Sequence, residues 1–573
     1  MGQSKLLFVV KWAVSGCLLF ITCLAHSDPH AQLYSETDFP SAQQCAGCHG
    51  QIFDEWSSSA HAYASISPMF HKFEQAINNL APTIDSFCVR CHSAVGTTLG
   101  EDRDIAIWDK PQVSKEGITC VTCHRVDTAY GKANGERRLL PGDINTPVMG
   151  TSDGQGVSEV IARMNYYKVR PNKEGRGQAI HKEAITFEQL GTSEFCVSCH
   201  QVAVNQGIAL EVVWNQYRSS PAMEKGITCQ DCHAGKTPGK ADGYEVGPAA
   251  IVAGKALPAR KHTNHSFYGP GYSIAHPAIF PQSAEELPWS MSDLLQFDWR
   301  SDWGTEDFEE DLEDGRMTVE FPEAWADATD REEVREHIND NLEKLAGRTE
   351  MRQELMENAT HLTGPYFDNT PKLGDDLNFK YILKNMNEGH NVPSGSLGAQ
   401  PQLWLNVVLI NPRGKRVWES GYVDSHGDMA DVHSLDVRSG KVPFDEQLFS
   451  LQTKFLTTNI KGTDREMYLP VNFDVDQLPF LRPAPQPVTV MNHPPGVRME
   501  AKSIPPLGQK KADYSIPAQL LSAKGEYTLS VRMRFRAEPI YFMKFVGATQ
   551  DMIQDMNEGI LNIHPYSVKF SVK

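Results

Sequence analysis

Beyond residue 25, this 573-residue sequence has no cysteine outside one repeated motif, no apolar run long enough to span a bilayer, and no excess of basic side chains. The first absence excludes a thiolate-ligated catalytic site built on an additional cysteine, and the second excludes a later membrane span. Asp and Glu number 72 against 54 Lys and Arg, a formal net charge of −18. Such an acidic chain repels nucleic acid and anionic lipid heads; it can steer a basic partner or simply stay soluble.

The repeated motif is Cys-x-x-Cys-His, and the chain contains five copies of it. Motifs 1 to 5 are Cys45/Cys48/His49, Cys88/Cys91/His92, Cys120/Cys123/His124, Cys196/Cys199/His200 and Cys229/Cys232/His233. The spacing suits covalent c-type haem, because each thiol can bond one haem vinyl group and the adjacent imidazole can reach the iron as proximal ligand. A zinc site or a disulfide switch competes for a single copy, but five copies that each carry a histidine favour haem. The sequence predicts five haem c groups with their iron.

The N-terminus has the pattern of an export signal. Lys5 and Lys11 precede an apolar run over residues 12–24, and Cys23-Leu24-Ala25 is a small-residue cleavage site. We expect a signal peptide over residues 1–25 and a periplasmic or otherwise exported protein. An uncleaved membrane anchor and a lipid anchor at Cys17 are the alternatives.

The chain is predicted to be of mixed fold class: a loop-rich, mainly helical multihaem domain, a short helical segment and an antiparallel β-sandwich. The expected units are the pentahaem domain at 26–298, an acidic helical connector at 299–365 and the β-sandwich at 366–573. In the first unit, residues 87–124 and 195–233 repeat each other, which makes motifs 2 and 3 one haem pair and motifs 4 and 5 its copy.

Periodicity predicts individual elements outside the haem motifs. In the connector, Val334, Ile338, Leu342 and Leu345 recur at helical spacing, with a capping box at Thr329-x-x-Glu332 and Gly347 as the predicted end of the helix. Strict alternation over 527–535 predicts a strand, as does the apolar run 403–410, followed by a turn at 411–414 and a return strand at 416–419.

A low-spin haem needs a second axial ligand, and 15 of the 20 histidines lie outside the motifs. Chain proximity to a motif or a rigid loop context makes five of them candidate distal iron ligands: His61, His181, His265, His390 and His71. His276 is a weaker candidate. His337 lies beside the apolar stripe of the connector helix and is interpreted as a packed histidine.

Three phrases resemble those of multihaem cytochromes of the cytochrome c-552/4 family: motif 1 followed by Trp56-Ser-Ser-Ser-Ala-His61, the Gly-Ile-Thr-Cys-x-x-Cys-His form of motifs 3 and 5, and Gly389-His-Asn-Val-Pro-Ser-Gly395. The resemblance covers residues 45–270 and is looser beyond. It implies that His61 and His390 are distal ligands. The chain departs from the first phrase at Tyr217-Arg-Ser-Ser-Pro-Ala222, where alanine stands at the position of the ligand histidine. Either another group, such as Met223, ligates the corresponding haem, or that haem has an open face.

The leading interpretation is an exported electron carrier that has no catalytic residues and passes electrons along its haems between redox partners. The expected partners are other redox proteins or a quinol-linked membrane dehydrogenase, with no nucleic acid, and with membrane contact only if the N-terminus is uncleaved. The alternative is an oxidoreductase that acts on a small nitrogen or sulfur compound at one five-coordinate haem, although no Cys-x-x-Cys-Lys motif is present. A third interpretation has the β domain docking the protein in a larger electron conduit.

Overall fold

The computed structural model describes residues 33–80, 86–102, 105–126, 128, 137–204, 208–209, 211–283, 287–396, 399–458, 466–468 and 497–573. The predicted signal peptide over residues 1–25 lies outside this set. In the part that is described, no helix combines the length and the apolarity needed to cross a bilayer. The chain is of mixed α and β structure: helices dominate the motif-bearing part and antiparallel sheets the last third.

The motif-bearing part is made of short helices joined by loops. Its helices are Ala42–Ala46, Gly50–Ser57, Ala60–Tyr63, Pro68–Leu80, Val89–His92, Ala94–Leu99, Gln112–Lys115, Cys120–His124, Gln155–Ala162, Met164–Tyr167, Glu194–His200, Val213–Arg218, Pro221–Glu224 and Cys229–His233. The strands form two-stranded pairs: Val148–Gly150 with Ala184–Thr186, Val169–Arg170 with Gln178–Ala179, Ala203–Val204 with Ile208–Ala209, Glu245–Pro248 with Ala259–His262, and Ile251–Val252 with Lys255–Ala256. Every motif lies on or at the end of one of these helices.

The predicted connector contains two helices, Glu306–Glu313 and Ala328–Ala359, which share a small core with the short helix Met291–Leu294 that precedes it. Trp325, Val334 and Ile338 are fully buried in this core. Arg331 is buried and forms an ion pair with Glu309, so the charge inside the core is compensated.

The long connector helix differs from its prediction at both ends. The N-cap is Asp327, whose carboxylate accepts the amide of Thr329 at 2.8 Å, so the predicted capping box lies inside the helix. The helix passes through Gly347 and ends at Ala359 after 32 residues. The physical reason is packing: Leu355 and Met356 in its last turns are buried, and this burial outweighs the weak helix propensity of one exposed glycine.

The last third of the chain consists of two antiparallel sheets. One has the order Thr360–Phe367, Leu377–Asn385, Gln509–Ile516, so its first strand begins inside the segment predicted as connector. The larger sheet has seven strands: Glu466–Tyr468, Ser450–Thr458, Gln402–Ile410, Gly525–Arg536 and Leu561–Val572 in order, with Arg416–Ser420 pairing Gln402–Ile410 and Val497–Lys502 pairing Ser450–Thr458. The alternation over 527–535 and the return strand at 416–419 are confirmed.

Both sheets contribute to one hydrophobic core, with Phe379, Tyr381 and Tyr514 from the smaller sheet and Leu405 and Leu529 from the larger. Short helices at Leu435–Arg438, Ile540–Phe545 and Gln550–Glu558 complete this region. A shared core is what a β-sandwich requires, and that finer description stays a prediction.

We expect Gly347→Ala to stabilise the protein by about 0.5–1 kcal/mol, because nothing lies within 4 Å of the position that its Cβ would take in a continuous helix. Gly304 is the control, since its φ is +75° and an added Cβ would lie 2.2 Å from the Arg331 carbonyl oxygen. Gly304→Ala should therefore destabilise. Urea unfolding followed by circular dichroism measures both, and a loss of stability in Gly347→Ala would mean that the helix ends there.

Candidate haem centres

Motifs 2 to 5 lie on single helical turns, and motif 1 spans the end of one helix and the start of the next. Residues three and four apart share a face of a helix, so the Cys-x-x-Cys-His spacing places all three groups together. Motifs 3 and 5 show this directly, because they form the helices Cys120–His124 and Cys229–His233. All ten motif cysteines are half-buried and outside any disulfide. The thiols are therefore available for two thioether bonds per motif.

The five motif histidines all have Nδ1 engaged, which leaves Nε2 as the free nitrogen. In four of them Nδ1 bonds a backbone carbonyl: His49 with Ala249 (2.7 Å), His124 with Met149 (2.7 Å), His233 with Tyr268 (2.6 Å) and His92 with Ala64 (3.3 Å). In the fifth, His200, Nδ1 bonds the Glu211 carboxylate at 3.2 Å. A hydrogen bond at one ring nitrogen fixes the tautomer and aims the other nitrogen at a metal.

Four of the motif histidines each stand opposite a second imidazole. The ring centroids are 6.4 Å apart in His49–His181, 6.3 Å in His124–His265, 6.0 Å in His233–His390 and 6.3 Å in His61–His200. The planes of the first three pairs lie within 12–25° of parallel, and those of the fourth pair make an angle of 46°. The structure thus brings four of the five predicted distal residues to four different motifs.

The spacing of these pairs fits one iron between two imidazoles. Metal–nitrogen bonds of about 2 Å on each side place two ring centroids roughly 6 Å apart. Rings in direct contact lie closer, as Phe70 and His92 do at 3.9 Å. The four pairs are therefore separated rather than stacked on each other, and the donor set fits haem.

Burial keeps the paired imidazoles neutral, the form that binds a metal. It lowers the pKa of His61 and His265 to about 3 and that of His181 and His233 to about 4. His200 differs: burial lowers its pKa, but the bonded Glu211 carboxylate outweighs burial and raises that pKa to about 9. The His200 ring without iron is therefore protonated at neutral pH, and its Nε2 would release a proton on binding a metal.

His92 of motif 2 has a different environment. Phe70, on the helix Pro68–Leu80, stacks on its ring with an angle of 8° between the planes. Within the described residues, no second imidazole faces His92 at the spacing of the other four pairs. His71 is the nearest candidate in sequence, and its Nε2 instead bonds the Ser65 carbonyl at 2.7 Å.

The other histidines considered from the sequence have their ring nitrogens occupied by protein groups. His276 Nε2 bonds the Phe297 carbonyl at 2.7 Å, and His262 Nε2 bonds the Glu55 carboxylate at 2.6 Å. His337 packs in the connector with its Nε2 3.2 Å from the Ala278 carbonyl oxygen. Met223, the alternative ligand at the departure from the family phrase, is 42% exposed.

Hydrogen bonds between thiols show which motifs adjoin. Three pairs of cysteines from different motifs are hydrogen bonded: Cys45 with Cys120, Cys91 with Cys199, and Cys196 with Cys229. Motif 1 thus adjoins motif 3, and motif 4 adjoins motifs 2 and 5. Cys123 of motif 3 is near enough to Cys199 for its charge to raise the pKa of Cys123. The five motifs form one connected group with motif 4 at its centre.

The duplication seen in the sequence is also visible in the hydrogen bonds. The amide of Ile118, two residues before motif 3, donates to the His61 carbonyl at 2.9 Å. The amide of Ile227, two residues before motif 5, donates to the Ala222 carbonyl at 2.9 Å. The same two isoleucine carbonyls accept bonds from aromatic side chains, Trp56 Nε1 at 2.8 Å and Tyr217 OH at 2.9 Å. Ala222 is therefore the structural equivalent of His61.

The second part of the chain supplies the imidazole that faces motif 5. Asn387 Oδ1 accepts the amides of Gly389 and His390 at 3.0 Å each, and His390 Nδ1 bonds the Asn391 carbonyl at 2.9 Å. Gln216, from the motif-bearing part, accepts the amide of Asn391 at 3.1 Å. These bonds hold the loop rigidly against the haem region.

Sequence reasoning missed the residues that support the ligands. Glu211 is one, because no motif marks it. Arg137 is another: it donates to Ser198 Oγ and, at 2.9 Å, to Cys199 Sγ of motif 4. Phe267 packs between His61 and His265, with centroid distances of 4.5 and 5.5 Å, and holds a positive φ of 46°. Residues held at positive φ cluster at functional sites, and this one lies beside two of the paired imidazoles.

Comparison with known proteins gives one match. Residues 44–125 match the family model described as cytochrome c554 and c-prime. No curated protein and no solved structure matches the chain. The match spans motifs 1 to 3 and supports a c-type cytochrome that binds haem c and functions in electron transfer. Cytochromes of this class are usually exported.

We expect Glu211→Gln to raise the reduction potential of one haem by on the order of 60 mV, a tenfold shift in its one-electron equilibrium. The substitution keeps a hydrogen-bond acceptor for His200 but removes the charge that makes this ligand more basic, so oxidised iron loses stabilisation. A redox titration followed by visible absorption measures it. Glu323→Gln, on an exposed carboxylate of the connector, is the control. Identical titrations for the two variants would contradict the role of Glu211.

Proposed function

We propose that this chain is an exported pentahaem c-type cytochrome that transfers single electrons between redox partners through five covalently bound haem groups. The observation that carries the proposal is the set of four imidazole pairs, each with one motif histidine and each spaced about 6 Å between centroids. The partner class is other redox proteins, including a quinol-linked membrane dehydrogenase.

In this proposal the ten cysteines hold haem through thioether bonds, and the five motif histidines are proximal ligands. His181, His265, His61 and His390 are the distal ligands opposite motifs 1, 3, 4 and 5. When bound, haem iron supplies reversible one-electron transfer. With haem bound, these four imidazole pairs would leave water and substrates no place at those irons. Burial keeps the paired imidazoles other than His200 neutral, and Nδ1 bonds orient the motif histidines, His265 and His390. No proton has to move for an electron to pass.

The contacts between motifs support transfer within the molecule. Hydrogen bonds between thiols join motif 1 to motif 3 and motif 4 to motifs 2 and 5. Motifs 3 and 4 adjoin through Cys123 and Cys199. An electron that enters at any motif can therefore reach every other motif through a neighbour, and motif 4 is the branch point.

A second candidate function, a redox reaction of a small nitrogen or sulfur compound at one haem, is favoured by the environment of His92. Phe70 stacks on the face of the His92 ring and offers no lone pair to iron, and within the described residues no second imidazole faces His92. The open axial position that such chemistry needs would then be at motif 2.

The duplication explains why motif 2 is the exception. Cys91 of motif 2 and Cys199 of motif 4 occupy the same place in their motifs and bond each other, as two copies related by a twofold axis would. His61, equivalent to Ala222, faces His200 of motif 4. If the two copies are exchanged, residue 222 takes the place opposite His92 that His61 takes opposite His200. Alanine at that position has no group that could bind iron.

The oxidised protein should contain five haems per chain by pyridine haemochromogen, of which four are low-spin and one high-spin in its EPR spectrum. The high-spin signal should change on addition of nitrite, hydroxylamine or cyanide. Fewer than five haems would contradict the pentahaem proposal. Five low-spin signals would contradict an open position at motif 2 and with it the second function.

Ala222→His should replace the high-spin signal by a fifth low-spin signal, because it restores an imidazole at the position equivalent to His61. Met223→His is the matched control, since its side chain is exposed and the neighbouring substitution should leave the high-spin signal unchanged. EPR of both oxidised variants at equal haem content measures the high-spin and low-spin signals. A high-spin signal that persists in Ala222→His would contradict the assignment of position 222 to motif 2.

A further inference from the structure

Two segments, residues 155–182 and 245–261, together form a surface directly over motif 1, here called the motif 1 surface. The carbonyl of Ala249 bonds the motif 1 histidine, and the amide of Ile251 donates to the carbonyl of Cys48 at 2.8 Å. Ile251 begins the strand pair Ile251–Val252 and Lys255–Ala256. Only this single layer of chain separates the outer surface from motif 1.

The two segments are continuous with each other. Lys255 Nζ lies 4.3 Å from the ring centroid of Tyr166 and donates to its carbonyl at 3.1 Å. Arg163 lies over the same ring at 4.4 Å. The first segment also touches the motif itself, because the Gln178 side chain fills the space beside Gly47. These contacts define one face rather than two separate loops.

The charge of this face is opposite to that of the whole protein. Residues 155–182 contain six basic and two acidic side chains, and residues 245–261 contain three basic and one acidic, whereas the chain carries −18. Ion pairs with Glu159 (3.4 Å) and Asp143 (3.2 Å) offset two of the cations. The exposed basic residues are Arg163, Lys168, Lys173, Arg176, Lys182, Arg260 and Lys261.

Apolar side chains are exposed among these cations. Val246 is 73% exposed, Ile251 and Tyr166 are 51% exposed, and Met164 is 42% exposed. Exposed apolar groups with a charged rim are typical of protein interaction sites, and charge complementarity there raises the rate of encounter. An anionic partner with some apolar surface is therefore the chemistry that this face fits.

We propose that the motif 1 surface docks an acidic single-electron redox protein and that electrons cross between that partner and the haem at motif 1. This inference rests on the proposed function. One electron moves, so one centre is oxidised as the other is reduced, and no bond is made or broken. Motif 1 suits exchange because it lies, like motifs 2 and 5, at an end of the connected group, and residues 249 and 251 of this surface bond it directly.

The test uses reduced plant-type ferredoxin, an acidic [2Fe–2S] protein of low potential, as the probe partner. Stopped-flow absorption measures the rate at which it reduces the intact cytochrome at low and high salt. Lys168→Glu/Arg176→Glu/Lys182→Glu should slow this reaction at least about tenfold at low salt and remove most of its salt dependence.

The matched control is Arg413→Glu/Lys415→Glu/Lys524→Glu, which makes the same change in net charge on exposed residues of the β region. It should slow the reaction by no more than about twofold. Equal slowing in the two variants would overturn the proposal, because it would show an effect of total charge alone. Binding of the unaltered protein to phosphatidylglycerol vesicles, lost only in the first variant, would also overturn it and make this face a membrane contact.

Reduction by dithionite separates this proposal from the proposed function. Both variants should be reduced by dithionite as fully as the unaltered protein, since a small reductant needs no docking face. A protein that carries five reducible haems and yet shows no local effect at the motif 1 surface would retain the proposed function and lose only the docking site.

Discussion

The structure depends on one constraint, which is that two imidazoles from distant parts of the chain lie about 6 Å apart. It meets this constraint four times. His49 meets His181, His124 meets His265, and His233 meets His390. Each such pair closes a long loop, at an entropic cost that grows only slowly with loop length. Shared iron ligation would offset that cost. This explains how a region of short helices and two-stranded sheets, with few long regular elements, can hold a fixed arrangement.

The same constraint ties the two parts of the molecule together. Motif 5 belongs to the helical part, but the imidazole opposite it belongs to the loop that follows the second strand of the β part. Gln216 and the ion pair of Lys225 with Glu388 fix that loop from the helical side. The β region therefore does more than cover the cytochrome: without His390, motif 5 would have one imidazole fewer. The two parts are expected to fold and load haem as one unit.

What the sequence could predict follows from the range of each interaction. The motifs are local, so their spacing alone predicts the haem-binding thiols and the proximal histidines. The strand over 527–535 was predictable because one face is buried along its length. His61 and His390 were named because each stands in a recognisable phrase. Their pairing was not predictable, since it depends on how loops of the duplicated region cross, and His61 in fact faces motif 4.

Other features left no local signal in the sequence. Gly347 looked like a helix end because only its own propensity was visible. The helix continues because its last turns are buried, and Met356 there packs in the core that the two sheets share. Glu211 is an ordinary glutamate until the fold places it 3.2 Å from His200. His71 has the same side chain as the ligands, but its Nε2 is bonded to a backbone carbonyl. Hydrogen-bond partners, rather than residue type, distinguish these histidines.

Net charge and local charge have different effects on a partner of this protein. The value of −18 governs solubility and the field far from the surface, and it favours a basic partner on average. Salt at 0.1 M screens charges beyond about 10 Å, so a docked partner senses mainly the side chains beneath it. Over motif 1 those side chains are largely basic and are interleaved with exposed apolar groups. An acidic protein that approaches elsewhere is repelled, while one that reaches this face is attracted. The contrast between the two fields would therefore direct an acidic partner to one haem among five, which a uniformly charged surface could not do.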